Sequence, residues 1–242
     1  MNDRTALVTG ANKGIGREIA RLLAAQGFIV YVGSRDADRG RQAAQEIGGG
    51  ARPLRLDVTD AAGIAEAAAW LDREVGRLDV LVNNAGISIT LDPPVASDVE
   101  EFRRTYETNV FGVLAVTNAF LPALRRSPHP RIVNVSSGTA SLTWSTGANP
   151  QFATGSGGGA AYRSSKAALN ALTVFYALTL AEEGFKVNAL APGLRATDLN
   201  ERAAASGGDP AEAAEGAVRL AVLPDDGPTG GFFSWDGTPV PW

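Results

Sequence analysis

The sequence contains no cysteine and only one histidine, His129. Disulfide bonds and thiolate metal sites are therefore excluded, and so is a metal site built from several histidines. Basic residues are not in excess either, since the formal net charge is -4 at pH 7. A chain with this charge lacks the positive field that holds nucleic acid or an anionic membrane surface. We therefore expect no bound metal, no nucleic-acid partner and no membrane partner.

Long apolar runs are also missing. The sequence has no stretch of about 18 uninterrupted apolar residues, so no membrane-spanning helix is expected. A basic segment followed by an apolar one is absent from the N-terminal MNDRTALVTG. We therefore expect no secretory signal and a cytoplasmic protein. The length of 242 residues, 45% of them hydrophobic, suits one domain spanning residues 1–242.

Short apolar runs alternate with longer helical patterns along the chain. Strands are predicted at TALVT, FIVYVG, ARPLRLDV, LDVLVNNAG, RIVNVSS, FKVNALAPG and GGFFSW. Strands separated by helices of ten or more residues are typical of βαβ units, and therefore of a parallel sheet covered on both faces. We predict an α/β protein with a single-domain Rossmann fold, a doubly wound parallel sheet of about seven strands.

Two stretches do not fit this alternation, and both follow predicted strand ends, where such sheets bind ligands. Residues 138–159 are rich in Ser, Thr and Gly. We interpret them as an insertion near the site with Trp144 and Phe152 as anchors, either an exposed loop or one wall of a substrate pocket. Residues 197–216 are rich in Ala and contain SGGDP. We interpret them as a mobile substrate lid, the alternative being an ordinary packed helix pair.

The first predicted strand runs into the loop TGANKGIG, which opens a helix. Glycines in such a loop let the backbone turn tightly and approach a pyrophosphate at the helix N-terminus. The candidate cofactor-binding residues of this loop are Gly10, Asn12, Lys13, Gly14, Ile15 and Gly16.

The second predicted strand ends in Gly33-Ser34-Arg35 instead of the acidic residue that accepts from a ribose 2′-hydroxyl. A guanidinium suits a 2′-phosphate, because its planar fork matches phosphate oxygens. Lys13 adds a second cation from the glycine loop. The sequence therefore predicts NADPH over NADH, the alternative being that both cations are solvated surface charges.

Five motifs occur in order along the chain: TGANKGIG, NNAG at 83–86, NVSS at 134–137, YRSSK at 162–166 and APG at 191–193. Together they resemble the short-chain dehydrogenase/reductase family across nearly the whole chain. The NKGIG and GSRD motifs and the wide spacing before Tyr162 are most similar to its carbonyl-reductase-like branch.

The resemblance implies a catalytic set in which Tyr162 is the general acid/base and Lys166 is its partner. Ser137 would anchor the substrate carbonyl, and Asn109 would be the fourth member. It further implies contacts with the adenine, the adenosine ribose and the nicotinamide, in chain order from Asp57, Val58, Asn83, Ala85, Gly86, Pro192, Gly193 and Thr197, besides Tyr162 and Lys166 themselves.

The residue chemistry agrees with these roles. Tyr162 and Lys166 are four positions apart, so they share a helix face. A free phenol has a pKa of about 10. We expect the Lys166 ammonium and the positive ring of an oxidised nicotinamide to lower the pKa of Tyr162. A Ser137 hydroxyl would stabilise charge growing on the substrate oxygen, and Asn109 would interrupt its helix and hold a water near Lys166.

The chain departs from the family pattern in two places. Ser137 and Tyr162 lie 25 positions apart, where shorter members place them closer together. In the carbonyl-reductase-like branch such insertions cover the face used for dimerisation, whereas the apolar VFYAL on the following helix suits pairing, so monomer and homodimer both stay open. Arg195 occupies a position where family members have a β-branched residue, and we consider a contact with cofactor phosphates or an anionic substrate.

We therefore predict an NADPH-dependent oxidoreductase that reduces a small-molecule ketone or aldehyde to an alcohol, with Tyr162 as the proton donor. The alternative from another class is a non-catalytic dinucleotide sensor with the same fold. A sensor would be expected to lose part of the Ser-Tyr-Lys set, which this chain retains. A hydrolase is a weaker alternative, because the chain has a single histidine and no G-x-S-x-G motif.

Overall fold

The structure, a computed structural model, describes residues 4–149, 152 and 157–242. Within these ranges seven strands form one sheet: β1 (Thr5–Val8), β2 (Ile29–Ser34), β3 (Ala51–Arg55), β4 (Val80–Asn83), β5 (Arg131–Val135), β6 (Lys186–Ala191) and β7 (Phe232–Ser234). Their order across the sheet is β3-β2-β1-β4-β5-β6-β7, and every neighbouring pair is parallel. The predicted doubly wound Rossmann fold is confirmed.

Helices connect the strands on both faces of the sheet. They are α1 (Gly14–Ala25), α2 (Ala37–Ile47), α3 (Ala61–Glu74), α4 (Val99–Tyr106), α5 (Gly112–Leu124), α6 (Leu142–Thr146), α7 (Ala160–Thr179), α8 (Glu201–Ala204) and α9 (Pro210–Ala221). A π-helical turn (Glu107–Phe111) joins α4 to α5, and 3₁₀ turns lie at Gly138–Ala140 and Ala181–Glu183. None of the helices in the described residues is long and apolar enough to span a bilayer.

Strand alternation divides the core into two layers. Along β1, Ala6 and Val8 face one cluster, which α1, α2 and α9 cover. Leu7 lies between them and faces the opposite cluster, covered by α3, α5 and α7. Because both faces of each central strand are buried, the strands are apolar at consecutive positions, which is the pattern that parallel sheets require.

The segment predicted as a lid is divided between two environments. Helix α9 buries Ala213, Ala214, Gly216 and Ala217 within the core layer that also contains α1. Its residues 210–216 therefore belong to the packed body of the fold, as in the packed-helix alternative. This leaves 197–209, with the short helix α8, as the part of the range that suits a lid.

The insertion predicted at 138–159 contains the turn Gly138–Ala140 and helix α6. Trp144 is buried against Ala189 and Phe232 at the β6–β7 edge, and Phe152 packs on Trp144 with ring centroids 6.5 Å apart. The remaining residues of the insertion, 150–151 and 153–156, lie outside the described residues. On the following helix, Phe175 and Leu178 are exposed. The oligomeric state stays a prediction with both alternatives open.

Candidate active site

A cavity of about 610 Å³ lies at the carboxyl ends of the central strands. This is the edge at which doubly wound sheets bind ligands. Its lining contains most of the residues singled out from the sequence: Gly10, Asn12, Lys13, Gly14, Ile15, Gly16, Arg35, Asp57, Val58, Ala85, Gly86, Tyr162, Lys166, Pro192 and Thr197. The fold thus brings residues from across the chain to one crevice.

The glycine loop forms one wall of this cavity. Gly10 and Gly14 have φ angles of 62° and 55°, in the left-handed region where a side chain is strained. A Cβ on Gly14 would lie 3.4 Å from the Thr197 Cγ2, so the start of the lid segment lies close to the loop. Helix α1 has no side-chain cap at Lys13. Its first-turn amides are therefore suited to hold an anion such as the pyrophosphate of a dinucleotide.

Cations surround the end of the cavity formed by β2. Lys13, Arg35 and Arg39 all line it. Arg39 was missed in the sequence, although it lies in the first turn of α2, one turn beyond Arg35. Asp36 caps α2 by accepting from the amides of Asp38 and Arg39, and its carboxylate also lies 3.5 Å from the Arg39 guanidinium. This basic corner suits a phosphate group.

Tyr162 and Lys166 lie one turn apart on α7, at the inner end of the cavity. The Lys166 Nζ is 5.9 Å from the centroid of the Tyr162 ring and donates to the Val135 carbonyl at 2.8 Å. Gly86 lies opposite, and a Cβ there would be 3.3 Å from the Lys166 Nζ and from the Asn109 Oδ1. A side chain at position 86 would therefore require Lys166 or Asn109 to shift by a few tenths of an ångström.

The expected lowering of the Tyr162 pKa by Lys166 is not found in the protein alone. Burial raises the pKa of Tyr162 to about 12, while a hydrogen bond with Ser137 acts in the lowering direction. Burial also lowers the pKa of Lys166 to about 8. The reason is that both groups are removed from water, which disfavours each charged form. Tyr162 is therefore held as a neutral phenol, the form that donates a proton.

Ser137 follows β5 and is positioned by its own chain. The Thr139 amide donates to the Ser137 Oγ at 3.2 Å, and the two hydroxyl oxygens are 2.8 Å apart. The preceding Ser136 is buried and hydrogen-bonded to the Asn170 Oδ1 at 2.6 Å. Ser136 still lines the cavity, whereas its described lining does not include Ser137 and Asn109. Ser137 is beside Tyr162 through the hydrogen bond between their hydroxyl groups.

Asn109 lies in the π-helical turn, as its predicted interruption of the helix requires. Its side chain accepts from the Ile87 amide at 2.9 Å and donates to the Ile87 carbonyl at 2.9 Å. The Asn109 Nδ2 also donates to the Ser165 hydroxyl at 3.0 Å. Ser165 in turn donates to the Tyr162 carbonyl at 2.7 Å. Asn109 therefore connects the strand-end loop after β4 to the helix that carries Tyr162.

The structure places two predicted cofactor residues outside the cavity lining. Asn83 is buried, and its Nδ2 donates to the Thr117 Oγ1 at 3.0 Å and to the Asn134 Oδ1 at 2.9 Å. The next residue, Asn84, lines the cavity instead. Gly193, with φ of 70°, packs against Trp235. Both residues therefore contact other protein groups beside the cavity and are not among its described lining residues.

Arg195 also differs from expectation, because it is buried and is not among the described residues that line the cavity. Its Nε donates to the Pro192 carbonyl at 2.8 Å, and its Nη1 lies 2.5 Å from the Glu212 carboxylate. The guanidinium also stacks 4.4 Å from the centroid of the Trp235 ring. The considered contact with cofactor phosphates or an anionic substrate is therefore wrong for this arrangement. Arg195 instead joins the ends of β6 and β7 to α9.

Comparisons with known proteins bear on what this site does. The family model described as short chain dehydrogenase matches residues 4–206. The chain belongs to the short-chain dehydrogenase family. It is 36% identical to (-)-isopiperitenone reductase of Mentha piperita, with 96% of each chain covered.

Solved structures agree with this membership. The short-chain dehydrogenase fold of this chain superposes on salutaridine reductase from Papaver somniferum with a TM-score of 0.81, at 32% identity and over 96% of this chain and 99% of that one. It superposes on an NADPH-bound carbonyl reductase from chicken fatty liver with a TM-score of 0.82, at 28% identity and over 100% of both chains.

The short-chain dehydrogenase cavity also contains residues that sequence reasoning missed. Besides Arg39 they include Ser34, Asp36, Leu56, Thr59, Asn84, Ile87, Ser88, Thr108, Asp198 and Leu199. Asp198 is notable because its carboxylate pairs with the Lys13 Nζ at 3.0 Å. Its proximity to the glycine loop depends on how the chain returns after β6, which no local pattern encodes.

Proposed function

We propose that this short-chain dehydrogenase is an NADPH-dependent oxidoreductase that reduces a ketone or aldehyde to an alcohol. The observation that carries the proposal is the neutral phenol of Tyr162, beside Ser137 and one turn from Lys166, at the inner end of a cavity whose other end is basic. A non-catalytic sensor would not need to keep this set of side chains together.

The residues of the cavity fit a dinucleotide. The uncapped N-terminus of α1 would hold the pyrophosphate, and Gly14 leaves room for it. Arg35 and Arg39 would hold the 2′-phosphate of NADPH. When bound, NADPH supplies the hydride that reaches the substrate carbon.

The protein's own groups handle the proton and the substrate oxygen. Ser137 would donate a hydrogen bond to the carbonyl oxygen and stabilise the charge that grows on it. Tyr162 would then give its phenolic proton to that oxygen, which completes the alcohol. Lys166 would remain beside the resulting phenolate and stabilise it electrostatically.

The proposal is tested by following NADPH oxidation over cyclohexanone, menthone, benzaldehyde and menadione. We expect turnover of at least one of these carbonyl compounds with NADPH. Binding of NADPH without turnover of any of them would favour the sensor.

The cofactor preference gives a separate prediction. Arg35→Ala should raise the KM for NADPH about 10- to 100-fold, because a charged hydrogen bond contributes about 1.5–3 kcal/mol. The KM for NADH should change less than 2-fold, since NADH lacks the phosphate. Arg41→Ala, which removes an exposed arginine of the following helix α2, is the matched control. Equal wild-type efficiency with both cofactors would contradict the preference.

A further inference from the structure

One side chain joins the two ends of the segment 138–159. The Arg163 Nη2 donates to the Ser145 Oγ at 2.9 Å. Longer contacts of 3.4 Å run from its Nε to the Thr139 carbonyl and from its Nη1 to the Gly158 carbonyl. Its guanidinium carbon also lies 5.5 Å from the centroid of the Phe152 ring. Arg163 thus contacts the beginning, the helix and the end of the described part of this segment.

We propose that Arg163 is a positioning residue that holds the described residues 138–149, 152 and 157–159 in place near Ser137 and Tyr162, and so determines which carbonyl compounds fit beside them. The proposal rests on the proposed function, since it assigns the specificity of that same site. The segment starts directly after Ser137 and ends three residues before Tyr162. A displacement of its two ends would therefore be transmitted to both residues.

Arg163 is connected to the reacting groups in two ways. It is the neighbour of Tyr162 in the first turn of α7, so its anchoring fixes the start of that helix. Its acceptor Thr139 is also the residue whose amide and hydroxyl contact the Ser137 Oγ. A shift of Thr139 would therefore move the hydroxyl that is proposed to hold the substrate oxygen.

The far side of the segment has a second anchor. Trp144 is buried against the β6–β7 edge and contacts Phe152. Arg163 holds the side nearer α7. A planar guanidinium can donate in several fixed directions at once, whereas an ammonium is a point charge. A lysine at position 163 should therefore keep only some of these hydrogen bonds and replace the arginine in part.

The test compares two ketones that share one ring, cyclohexanone and the bulkier menthone. In Arg163→Ala, kcat/KM for menthone should fall about 10-fold more than kcat/KM for cyclohexanone. Arg163→Lys should give an intermediate ratio, and Ser145→Ala should shift the ratio in the same direction by about 2-fold. The Kd for NADPH should stay within 2-fold. Arg73→Ala, which removes an exposed arginine paired with Glu74, is the control and should leave the ratio unchanged.

Hydrogen exchange provides a readout that needs no turnover. Arg163→Ala should speed amide exchange in peptides covering 138–149, with β1 unchanged. Unaltered exchange there, or an equal fall in kcat/KM for both ketones, would overturn the inference. If wild-type protein reduces no carbonyl compound while Arg163→Ala still speeds exchange, the proposed function fails and the anchoring of the segment stands.

Discussion

At the scale of single residues, burial governs the protonation of the two central side chains. The pKa of Lys166 falls to about 8 and that of Tyr162 rises to about 12. Between these two values both side chains are mostly uncharged. The Lys166 Nζ donates to the Val135 carbonyl at 2.8 Å. Its charge is therefore the property of the site most sensitive to pH.

This predicts a pH dependence for reduction. The value of kcat/KM for a ketone should fall as pH rises through about 8, because Lys166 loses the proton that stabilises a phenolate at Tyr162. Tyr162 itself should stay protonated across this range. Lys166→Arg, in which the side chain stays charged, should lower kcat/KM at all pH values but abolish its fall through about pH 8. A wild-type kcat/KM that stays constant up to about pH 10 would contradict the assignment of this pH dependence to Lys166.

The same shift has a consequence for stability. The pKa of Lys166 is lowered from 10.5 to about 8, so the unfolded chain binds more protons between these values. The contribution of Lys166 to the free energy of unfolding therefore rises with pH across that window. Below about pH 8 Lys166 is charged in both the folded and the unfolded chain, so the cost of burying the charge lowers the free energy of unfolding in full.

At the scale of secondary-structure elements, Arg195 joins the ends of β6 and β7 to α9. Its guanidinium is buried, while Glu212 is about half exposed. One of its nitrogens, Nη2, has no hydrogen-bond partner among the described residues. Loss of Glu212 would leave this buried cation with the Pro192 carbonyl and the Trp235 ring alone.

Glu212→Ala should therefore destabilise the protein. We expect a loss of about 1–2 kcal/mol, less than for a fully buried pair because Glu212 is partly solvated. For a chain of this size that lowers Tm by about 3–6 °C. Glu215→Ala, on the same helix and exposed, is the control for thermal unfolding. An unchanged Tm in Glu212→Ala would show that the pair contributes nothing to the junction.

At the scale of the whole molecule, the sheet and most of the site could be predicted from the sequence, because both depend on local patterns. Apolar runs separated by helical periodicity indicate the strands, and strand ends of a parallel sheet meet at one edge. Gly10, Tyr162 and Lys166 were placed correctly at the cavity because their motifs are short and follow strands or begin helices.

The remainder depends on contacts between distant segments. Asn83 and Asn84 are adjacent, and only the pairing of β4 with its neighbours decides which one turns inward. The pairing of Asp198 with Lys13 depends on how the chain returns after β6, and the burial of Arg195 requires the packed positions of α9 and β7. In the protein without cofactor, burial raises the pKa of Tyr162, an effect that is not visible in a sequence. The lowering expected with an oxidised nicotinamide bound stays a prediction.

The most direct test of the account replaces Tyr162 by Phe, which removes the phenolic proton and keeps the ring. Ketone reduction by Tyr162→Phe should fall at least about 100-fold, the range typical of a lost general acid. The Kd for NADPH, measured by fluorescence titration, should change less than 2-fold. Retention of more than a tenth of the wild-type kcat, with NADPH still bound, would contradict the claim that Tyr162 donates the proton.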